Sequence, residues 1–192
     1  SKLALDGGSV VVAGSGSGSL TRAGGGVQLR TAGTQSVSAN DVNTVAIAGT
    51  QTGIVVTPAA ASRVLVGGVA SPRVAGATGN FTVEARDAFN NRATGYTGTV
   101  GFTSTDAAAT LPGNYTFTVA DAGLATVIGV TFRTAGVHTL TGTPTAGGVG
   151  AGTQTGIQVN PAAAATLVVT GISSPRVAGT PSGVVVEARD GF

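Results

Sequence analysis

The chain has 192 residues, of which 42% are hydrophobic and only 9% are charged, with ten basic side chains against eight acidic ones and no Cys. This composition suits a packed core and differs from that of a charge-rich disordered chain. The lack of Cys excludes disulfide bonds, thiolate zinc sites and a Cys nucleophile, and the scattered Arg residues do not form the basic patch that nucleic acids require.

The sequence also lacks the long apolar stretch, about 18 residues or more, that a membrane-spanning helix needs. Its 32 Gly residues and its many Thr and Val residues favour strands and tight turns, because β-branched side chains pack well on a pleated strand. We therefore expect an all-β protein with no membrane span and no nucleic-acid partner.

Short motifs recur along the chain at a fixed spacing of 103 residues. They are Arg-Thr-Ala-Gly (30–33 and 133–136), Gly-Thr-Gln-Thr-Gly-Ile (49–54 and 152–157), Ser-Pro-Arg-Val-Ala-Gly (71–76 and 174–179) and Val-Glu-Ala-Arg-Asp (83–87 and 186–190). Repetition at a single period is the signature of a tandem array of structural units.

The phase of the repeat divides the chain into three predicted domains. Residues 58–160 form a complete repeat, residues 1–57 correspond to the C-terminal half of a repeat, and residues 161–192 correspond to the N-terminal half of the next one. The two halves together lack only the counterpart of residues 90–103. We expect the chain to be a window from a longer array, with a flexible Gly/Ser loop at 14–19.

Within the complete repeat, apolar and polar residues alternate with the period of two that is typical of strands. The predicted strands cover residues 63–69, 80–87, 99–104, 115–119, 125–132, 137–143 and 153–159. Turn residues such as Pro-Gly-Asn at 112–114 separate them, and no segment shows a capped helical pattern. Gly129 interrupts the alternation and is predicted to form a β-bulge. Seven short strands predict an antiparallel β-sandwich.

Four stretches of the complete repeat resemble a known family. They are Asp-Ala-Phe-Asn-Asn-Arg-Ala-Thr-Gly-Tyr-Thr-Gly-Thr-Val-Gly-Phe-Thr-Ser at 87–104, Leu-Pro-Gly-Asn-Tyr-Thr-Phe-Thr at 111–118, Ala-Asp-Ala-Gly at 120–123 and Thr-Ala-Gly-Val-His-Thr-Leu at 134–140. These residues resemble the bacterial immunoglobulin-like repeats of very long surface and secreted proteins. The Ala-Gly-x-His turn is also similar to that of filamin-type domains.

This resemblance implies a fold and a type of protein, but no ligand. The implied fold is a seven-stranded antiparallel immunoglobulin-like β-sandwich, repeated in tandem with a period of 103 residues. Members of the family generally act as stalks or spacers that hold adhesive or catalytic domains away from the cell. The implied location is extracellular or at the bacterial cell surface, and no binding residues carry over with the resemblance.

The sequence offers little that could perform catalysis. His138 is the only imidazole, and we expect it to pack or to bind backbone at the corner between two strands. Neither of the glycine-rich motifs G-x-S-x-G and G-x-G-x-x-G occurs. The carboxylates of the complete repeat are Glu84, Asp87, Asp106 and Asp121. Because the first two recur 103 residues later, a structural role fits them better than the acid pair of a glycosidase, and we expect no enzyme activity, no catalytic residues and no cofactor.

A calcium site is the one metal site that the sequence could suggest. Asp87, Asn90 and Asn91 carry the oxygen ligands that a hard cation selects. No Asp-x-Asp-x-Asp loop or dense acidic cluster surrounds them, so an Asx-type turn is the favoured interpretation and no metal is expected.

Two surface features of the complete repeat also have predicted roles. Glu84 and Arg86 face the same side of one strand, which predicts a solvent-exposed ion pair of little energetic value. A carbohydrate-binding surface would need exposed aromatic rings, and only Tyr96 and Tyr115 are candidates. Unchanged glycan binding after replacing both with Ala would remove that hypothesis.

The favoured functional hypothesis is a structural stalk or spacer repeat of a large adhesin-like fibre protein. The Pro-Ala-Ala-Ala segments at 58–61 and 161–164 would form short, stiff junctions. Neighbouring repeats or copies of the chain are its expected partners, and any cell-surface or glycan partner would bind domains outside these residues. The alternative is a self-assembling extracellular filament, in which neighbouring chains complete each other's partial domains by strand exchange. The missing counterpart of residues 90–103 counts against this alternative.

Overall fold

The computed structural model of the protein describes residues 10–15, 28–41 and 48–192. Over these residues the fold is all-β, as the sequence predicts, and the one helical element is a 3₁₀ turn at Val119–Asp121. The strands are β1 (Val10–Ser15), β2 (Gly33–Asp41), β3 (Ala48–Val56), β4 (Arg63–Gly67), β5 (Arg73–Val74), β6 (Thr78–Arg86), β7 (Thr99–Ser104), β8 (Tyr115–Thr116), β9 (Leu124–Thr131), β10 (Gly136–Pro144), β11 (Gly152–Asn160), β12 (Thr166–Thr170) and β13 (Val185–Arg189).

These strands form four sheets within the described ranges. Their strand orders are β1-β2-β3, β4-β6-β9, β5-β11-β10-β7-β8 and β12-β13. The hairpins β2–β3, β10–β11 and β12–β13 are antiparallel, whereas the two-residue strand β5 pairs with β11 in parallel. Several antiparallel sheets built from short strands are what the period-two pattern indicates.

One predicted strand is shorter than expected. The strand predicted at 115–119 ends at Thr116, and a 3₁₀ turn follows it. The reason is a local capping interaction, since a carboxylate oxygen of Asp121 accepts hydrogen bonds from both the backbone N and the hydroxyl of Thr118, at 2.6 and 2.9 Å. These hydrogen bonds stabilise a turn relative to an extended strand. The short strand β5 was not predicted.

The predicted bulge at Gly129 is confirmed. In the pairing of β6 with β9, Gly79 faces Val130 and Asn80 faces Ile128, which leaves Gly129 as an extra residue. Its φ of 99° lies in a region that residues with a side chain rarely adopt, so glycine fits this position.

The chain divides into two compact units, which are described separately. The first unit is drawn from Ser1–Arg63, Ala85–Thr97 and Thr118–Gly123, and the second from Val64–Glu84, Gly98–Phe117 and Leu124–Phe192. The division into repeats at residues 58 and 161 remains a prediction from the sequence.

The core of the second unit lies between its two larger sheets. The ring of Phe81 on β6 meets that of Phe102 on β7 edge to face, with centroids 4.9 Å apart. On the sheet of β10 and β11, a Cβ added to Gly142 would lie 2.7 Å from a methyl carbon of Val66 on β4. The fully buried side chains around these contacts are Val64, Val83, Val100, Val130, Phe132, Leu140, Ile157 and Val159. Close packing of two sheets in this way excludes water from both inner faces.

The two long hairpins share details at the spacing of 103 residues. The β2–β3 pairing has a register shift between Gln35 and Val37, and the β10–β11 pairing has one between His138 and Leu140. A cross-strand hydroxyl pair, 2.8 Å apart, follows the shift in both hairpins: Ser38 with Thr50, and Thr141 with Thr153.

Candidate functional site

Asp87 lies at the end of β6 and organises the loop that follows it. The residue is fully buried. Its Oδ1 accepts hydrogen bonds from the backbone N of Phe89 (2.9 Å) and Asn91 (2.8 Å), so the predicted Asx-type turn is confirmed. Its Oδ2 accepts hydrogen bonds from the backbone N of Ala59 (3.0 Å) and from the side-chain amide of Asn91 (2.9 Å).

The hydrogen bonds of Asp87 decide its protonation state. Burial alone would raise its pKa, but the hydrogen bonds from Asn91, Ala59 and Phe89 outweigh that effect and hold the pKa below its ordinary value. The carboxylate is therefore an anion surrounded by N–H donors. Such an environment stabilises a negative charge and does not present free oxygens to a cation.

Asn91 connects this loop to a segment about 60 positions earlier in the chain. Its amide nitrogen donates to the backbone oxygen of Arg30 (2.7 Å), and its amide oxygen accepts from the backbone N of Ala32 (2.9 Å). Beside it, the guanidinium of Arg30 lies 5.5 Å from the centroid of the Phe89 ring. All of these contacts fall within the first compact unit. We call this set, Asp87, Phe89 and Asn91 with Arg30 and Ala32, the Asn91 clamp.

Part of this arrangement recurs 103 residues later, within the second unit. Asp190 accepts hydrogen bonds from the backbone N of Ala162 (2.9 Å) and Phe192 (3.1 Å), which are the counterparts of the bonds from Ala59 and Phe89 to Asp87. In both places, therefore, an aspartate ties the segment that follows a proline to the loop that follows a strand.

A second buried carboxylate, Asp106, holds another corner of the second unit. It is 3% exposed. One oxygen accepts from the backbone N of Arg133 (2.7 Å) and Thr134 (3.1 Å), and the other accepts from the backbone N of Ala108 (3.0 Å) and the hydroxyl of Thr134 (2.8 Å). Burial alone would raise the pKa of Asp106. The hydrogen bonds from Thr134, Arg133 and Ala108 lower it by more, so the pKa lies below its ordinary value.

His138 occupies the structural position that the sequence predicts. Only 9% of it is exposed, and its ring stacks on Phe132 with centroids 6.1 Å apart. Its Nε2 donates to the backbone oxygen of Thr134 (2.8 Å). The ring therefore packs at the corner between β9 and β10 and binds backbone there.

Arg73 is a buried cation whose role the sequence did not reveal. It is 9% exposed, its guanidinium lies 5.2 Å from the ring centroid of Phe132, and it donates to the backbone oxygens of Ala77 and Val130. Desolvation by burial lowers the pKa of Arg73. Because the ordinary pKa of a guanidinium is very high, the side chain keeps its charge. Its counterpart Arg176 makes the corresponding bond to the backbone oxygen of Thr180 (2.5 Å).

The remaining candidate residues take part in local contacts. The carboxylates of Asp87, Asp106 and Asp121 accept hydrogen bonds that fix turns. Tyr96 and Tyr115 are each half-buried, and Tyr115 packs edge to face on Phe117. Burial also raises the pKa of Tyr96.

Neither a metal cluster nor a membrane helix is present in the part of the chain that the structure describes. Over residues 10–15, 28–41 and 48–192, no three His, Asp or Glu side chains come together as metal ligands would. In the same ranges, no helix has the length and apolar character needed to cross a bilayer. Glu187 and Arg189, the counterparts of Glu84 and Arg86, form an exposed ion pair with N and O 2.9 Å apart, whereas a pair between Glu84 and Arg86 stays a prediction.

Comparisons with known proteins identify no family for this chain. No family model matches it, and no curated protein matches it. Among solved structures, InvD of Yersinia pseudotuberculosis is 18% identical with a TM-score of 0.43, and the match covers 97% of this chain and 61% of InvD. An S-layer protein, rSbsC, is 16% identical with a TM-score of 0.33, and the match covers 93% of this chain and 28% of that one. The chain thus spans less than two thirds of each structure, and likenesses this distant carry no functional argument.

Proposed function

We propose that the chain is a structural spacer in a large bacterial surface or secreted adhesin-like fibre protein, built from tandem immunoglobulin-like sandwiches with a period of 103 residues. It would have no enzyme activity and would act outside the cell. The resemblance of residues 87–104, 111–118 and 134–140 to bacterial immunoglobulin-like repeats supports this proposal, as does the packing of two sheets in the second unit.

The observation that carries the proposal is the Asn91 clamp. A spacer transmits length only if its joints resist bending, and a short Pro-Ala segment alone restricts the chain without fixing an angle. The clamp adds side-chain bonds from Asn91 to the backbone of Arg30 and Ala32, which lie in the preceding predicted repeat. The carboxylate of Asp87 also holds Ala59, which belongs to the Pro-Ala segment itself.

The second observation is that the bond from an aspartate to the Pro-Ala segment recurs. Asp190 and Ala162 repeat the bond between Asp87 and Ala59 at the spacing of 103 residues. A Pro-Ala segment that is held twice by the same bond suits a protein whose function is regular spacing.

The test is to weaken the clamp and measure the flexibility of the chain in solution. Asn91→Ala removes both backbone bonds, and Asn80→Ala, at an exposed amide on β6, is the matched control. Small-angle X-ray scattering should show a monomer in the wild type and the control. In Asn91→Ala the distribution of maximum dimensions should broaden while far-UV circular dichroism stays unchanged. Equal profiles for all three proteins would refute a clamped joint.

The second candidate is the self-assembling filament, and one observation favours it. The β12–β13 hairpin exposes Leu167 (66%), Val169 (60%) and Val186 (58%). Their counterparts 103 residues earlier, the valines at 64, 66 and 83, are buried at 0%, 8% and 0%. An apolar face of this kind invites the hairpin of another copy.

Light scattering over a concentration series separates the two candidates. A mass that stays at one chain supports the spacer, whereas growth into linear assemblies supports the filament. The lack of a counterpart of residues 90–103 still weighs against the filament, because that segment supplies most of β7, an interior strand of the five-stranded sheet in the second unit.

A further inference from the structure

Within the second unit, the ring of Phe192 lies directly against the backbone of Gly76. A Cβ added to Gly76 would overlap the far edge of this ring, with the ring carbon Cε1 at 3.0 Å. Phe192 is otherwise 60% exposed, so the ring touches the protein by one edge only. Gly76 has a φ of 79°, and its N donates to the backbone oxygen of Phe132 (2.8 Å). The ring therefore rests on the chain next to the corner at 133–136.

In the first unit, a phenylalanine at the equivalent repeat position lies beside Arg30. Phe89 is the counterpart of Phe192, and each of them donates its backbone N to an aspartate two residues earlier. The ring of Phe89 lies 5.5 Å from the guanidinium of Arg30, and Arg30 is the counterpart of Arg133, the residue after Phe132. In the first unit, the ring that follows the Asx turn lies at Arg30 of the corner. In the second unit it lies against Gly76, whose N donates to Phe132, the residue before the corner.

We propose that the Arg-Thr-Ala-Gly corner together with Gly76 is a docking site for the Asp-x-Phe-x-Asn loop of the adjoining repeat. The partner is another repeat of this same type. Its Phe ring rests where Gly76 leaves room, and its Asn amide holds the backbone of the corner, as Asn91 does at Arg30 and Ala32. The proposal rests on the tandem arrangement proposed above, and it adds a rule of recognition. A repeat with a side chain at the position of Gly76, or without the aromatic residue, is excluded from the joint.

Two features of the structure require glycine at position 76: room for the ring of Phe192, and a positive φ. A second glycine in the chain provides the control that separates these two effects. Gly179 is the counterpart of Gly76, with a φ of 82°, and nothing lies within 4 Å of a Cβ added to it. Ala at either position suffers a similar backbone strain. Only Ala at position 76 meets the ring, so any difference between the two variants reports the docking contact.

The test uses a fluorescent ring at position 192 of the full chain. The protein contains no Trp, so Phe192→Trp introduces a single indole. Acrylamide quenching is compared in three backgrounds: Gly76 intact, Gly76→Ala and Gly179→Ala. We expect the quenching constant to rise roughly 1.5-fold to two-fold with Gly76→Ala, because an aromatic ring that is 60% exposed becomes fully exposed, and to stay unchanged with Gly179→Ala. Equal quenching in all three backgrounds would overturn the proposal.

A second measurement applies if Gly76→Ala fails to fold. The overlap with the ring disappears in the double variant Gly76→Ala with Phe192→Ala, which should then recover the melting temperature of Gly179→Ala. A double variant that remains unfolded would overturn the docking role of Gly76. Failure of the spacer function would appear instead as concentration-dependent growth in mass, which the quenching experiment does not measure, so the two failures are distinguishable.

Discussion

Neutralising Asp106 should be among the most costly single substitutions in the second unit. Asp106→Asn keeps the shape of the side chain but replaces one acceptor oxygen by an amide group that donates. Of the two orientations of the Asn side chain, the one with the amide nitrogen in place of Oδ1 loses fewer hydrogen bonds, because the Thr134 hydroxyl can rotate and accept from it. The backbone N of Ala108 is then left facing another donor. In place of Oδ2, the amide would face two backbone N–H groups, those of Arg133 and Thr134.

The expected cost follows from these bonds. A buried N–H that loses its acceptor costs about 1–3 kcal/mol. The bonds that remain are weaker with a neutral acceptor, because a hydrogen bond to a charged group contributes about 1.5–3 kcal/mol and a neutral one about 0.5–1.5 kcal/mol. The side chain is only 3% exposed, so water does not replace the lost acceptor. We expect Asp106→Asn to lower the free energy of unfolding by about 2–4 kcal/mol.

The assay is urea unfolding at neutral pH, followed by far-UV circular dichroism. Asp121→Asn is the matched control, because its half-buried carboxylate caps its own 3₁₀ turn through two hydrogen bonds from Thr118. It should cost less than about 1 kcal/mol, because water reaches this half-buried turn and can replace the lost acceptor. An unfolding free energy that is equal in the two variants, or unchanged in Asp106→Asn, would refute the argument that four donors make this carboxylate a structural anchor.

The remaining predictions concern the pH dependence of stability and a substitution at Gly152, where a side chain would meet backbone. The pKa values of Asp87 and Asp106 are both depressed in the folded state, so their stabilising contribution is complete above the ordinary value of 3.8 and is lost as the pH falls through the lower folded values. The urea midpoint should therefore stay constant around neutral pH and decrease below about pH 4. The decrease should be smaller in Asp106→Asn, which lacks one of the two titrating carboxylates. A midpoint that does not change in acid would contradict this reasoning. Gly152→Ala should cost about 1–3 kcal/mol, because its Cβ would overlap the carbonyl oxygen of Val64 and lie 2.8 Å from that carbonyl carbon, whereas Gly147→Ala, with open space around its Cβ, should be neutral in the same urea titration.

The elements of the fold that local chemistry specifies were predictable from the sequence. The strand predicted at 99–104 matches β7 (Thr99–Ser104), and those predicted at 137–143 and 153–159 match β10 and β11 within one residue at each end. Alternating side chains and turn residues set these limits. The strand predicted at 115–119 was too long, because Tyr-Thr-Phe-Thr-Val has strong strand propensity while the capping of Thr118 by Asp121 depends on a residue beyond the window.

The same limit applies to the candidate site. The Asx turn at Asp87 follows from residues two and four positions away, and it was predicted. The bonds from Asn91 to Arg30 and Ala32 span about 60 positions, and those from Asp106 to Thr134 span 28, so no local pattern reveals them. The recurrence of Arg-Thr-Ala-Gly at 30–33 and 133–136 was the one available signal that this corner has a shared role.

In the proposed spacer, bonds from aspartates to backbone would let few charges stabilise a joint, in a chain with only 9% charged residues. Asp87 and Asp190 bind the backbone N of Ala59 and Ala162, and not their side chains. Ala59 and Ala162 therefore contribute their backbone N and no side-chain contact to these bonds. In the proposed spacer, the angle of a joint would depend on the aspartate and on the loop that follows it. Stiffness should then survive changes to the alanine side chains and be lost with Asn91. This is the opposite of what a joint stiffened by Pro-Ala composition alone would show.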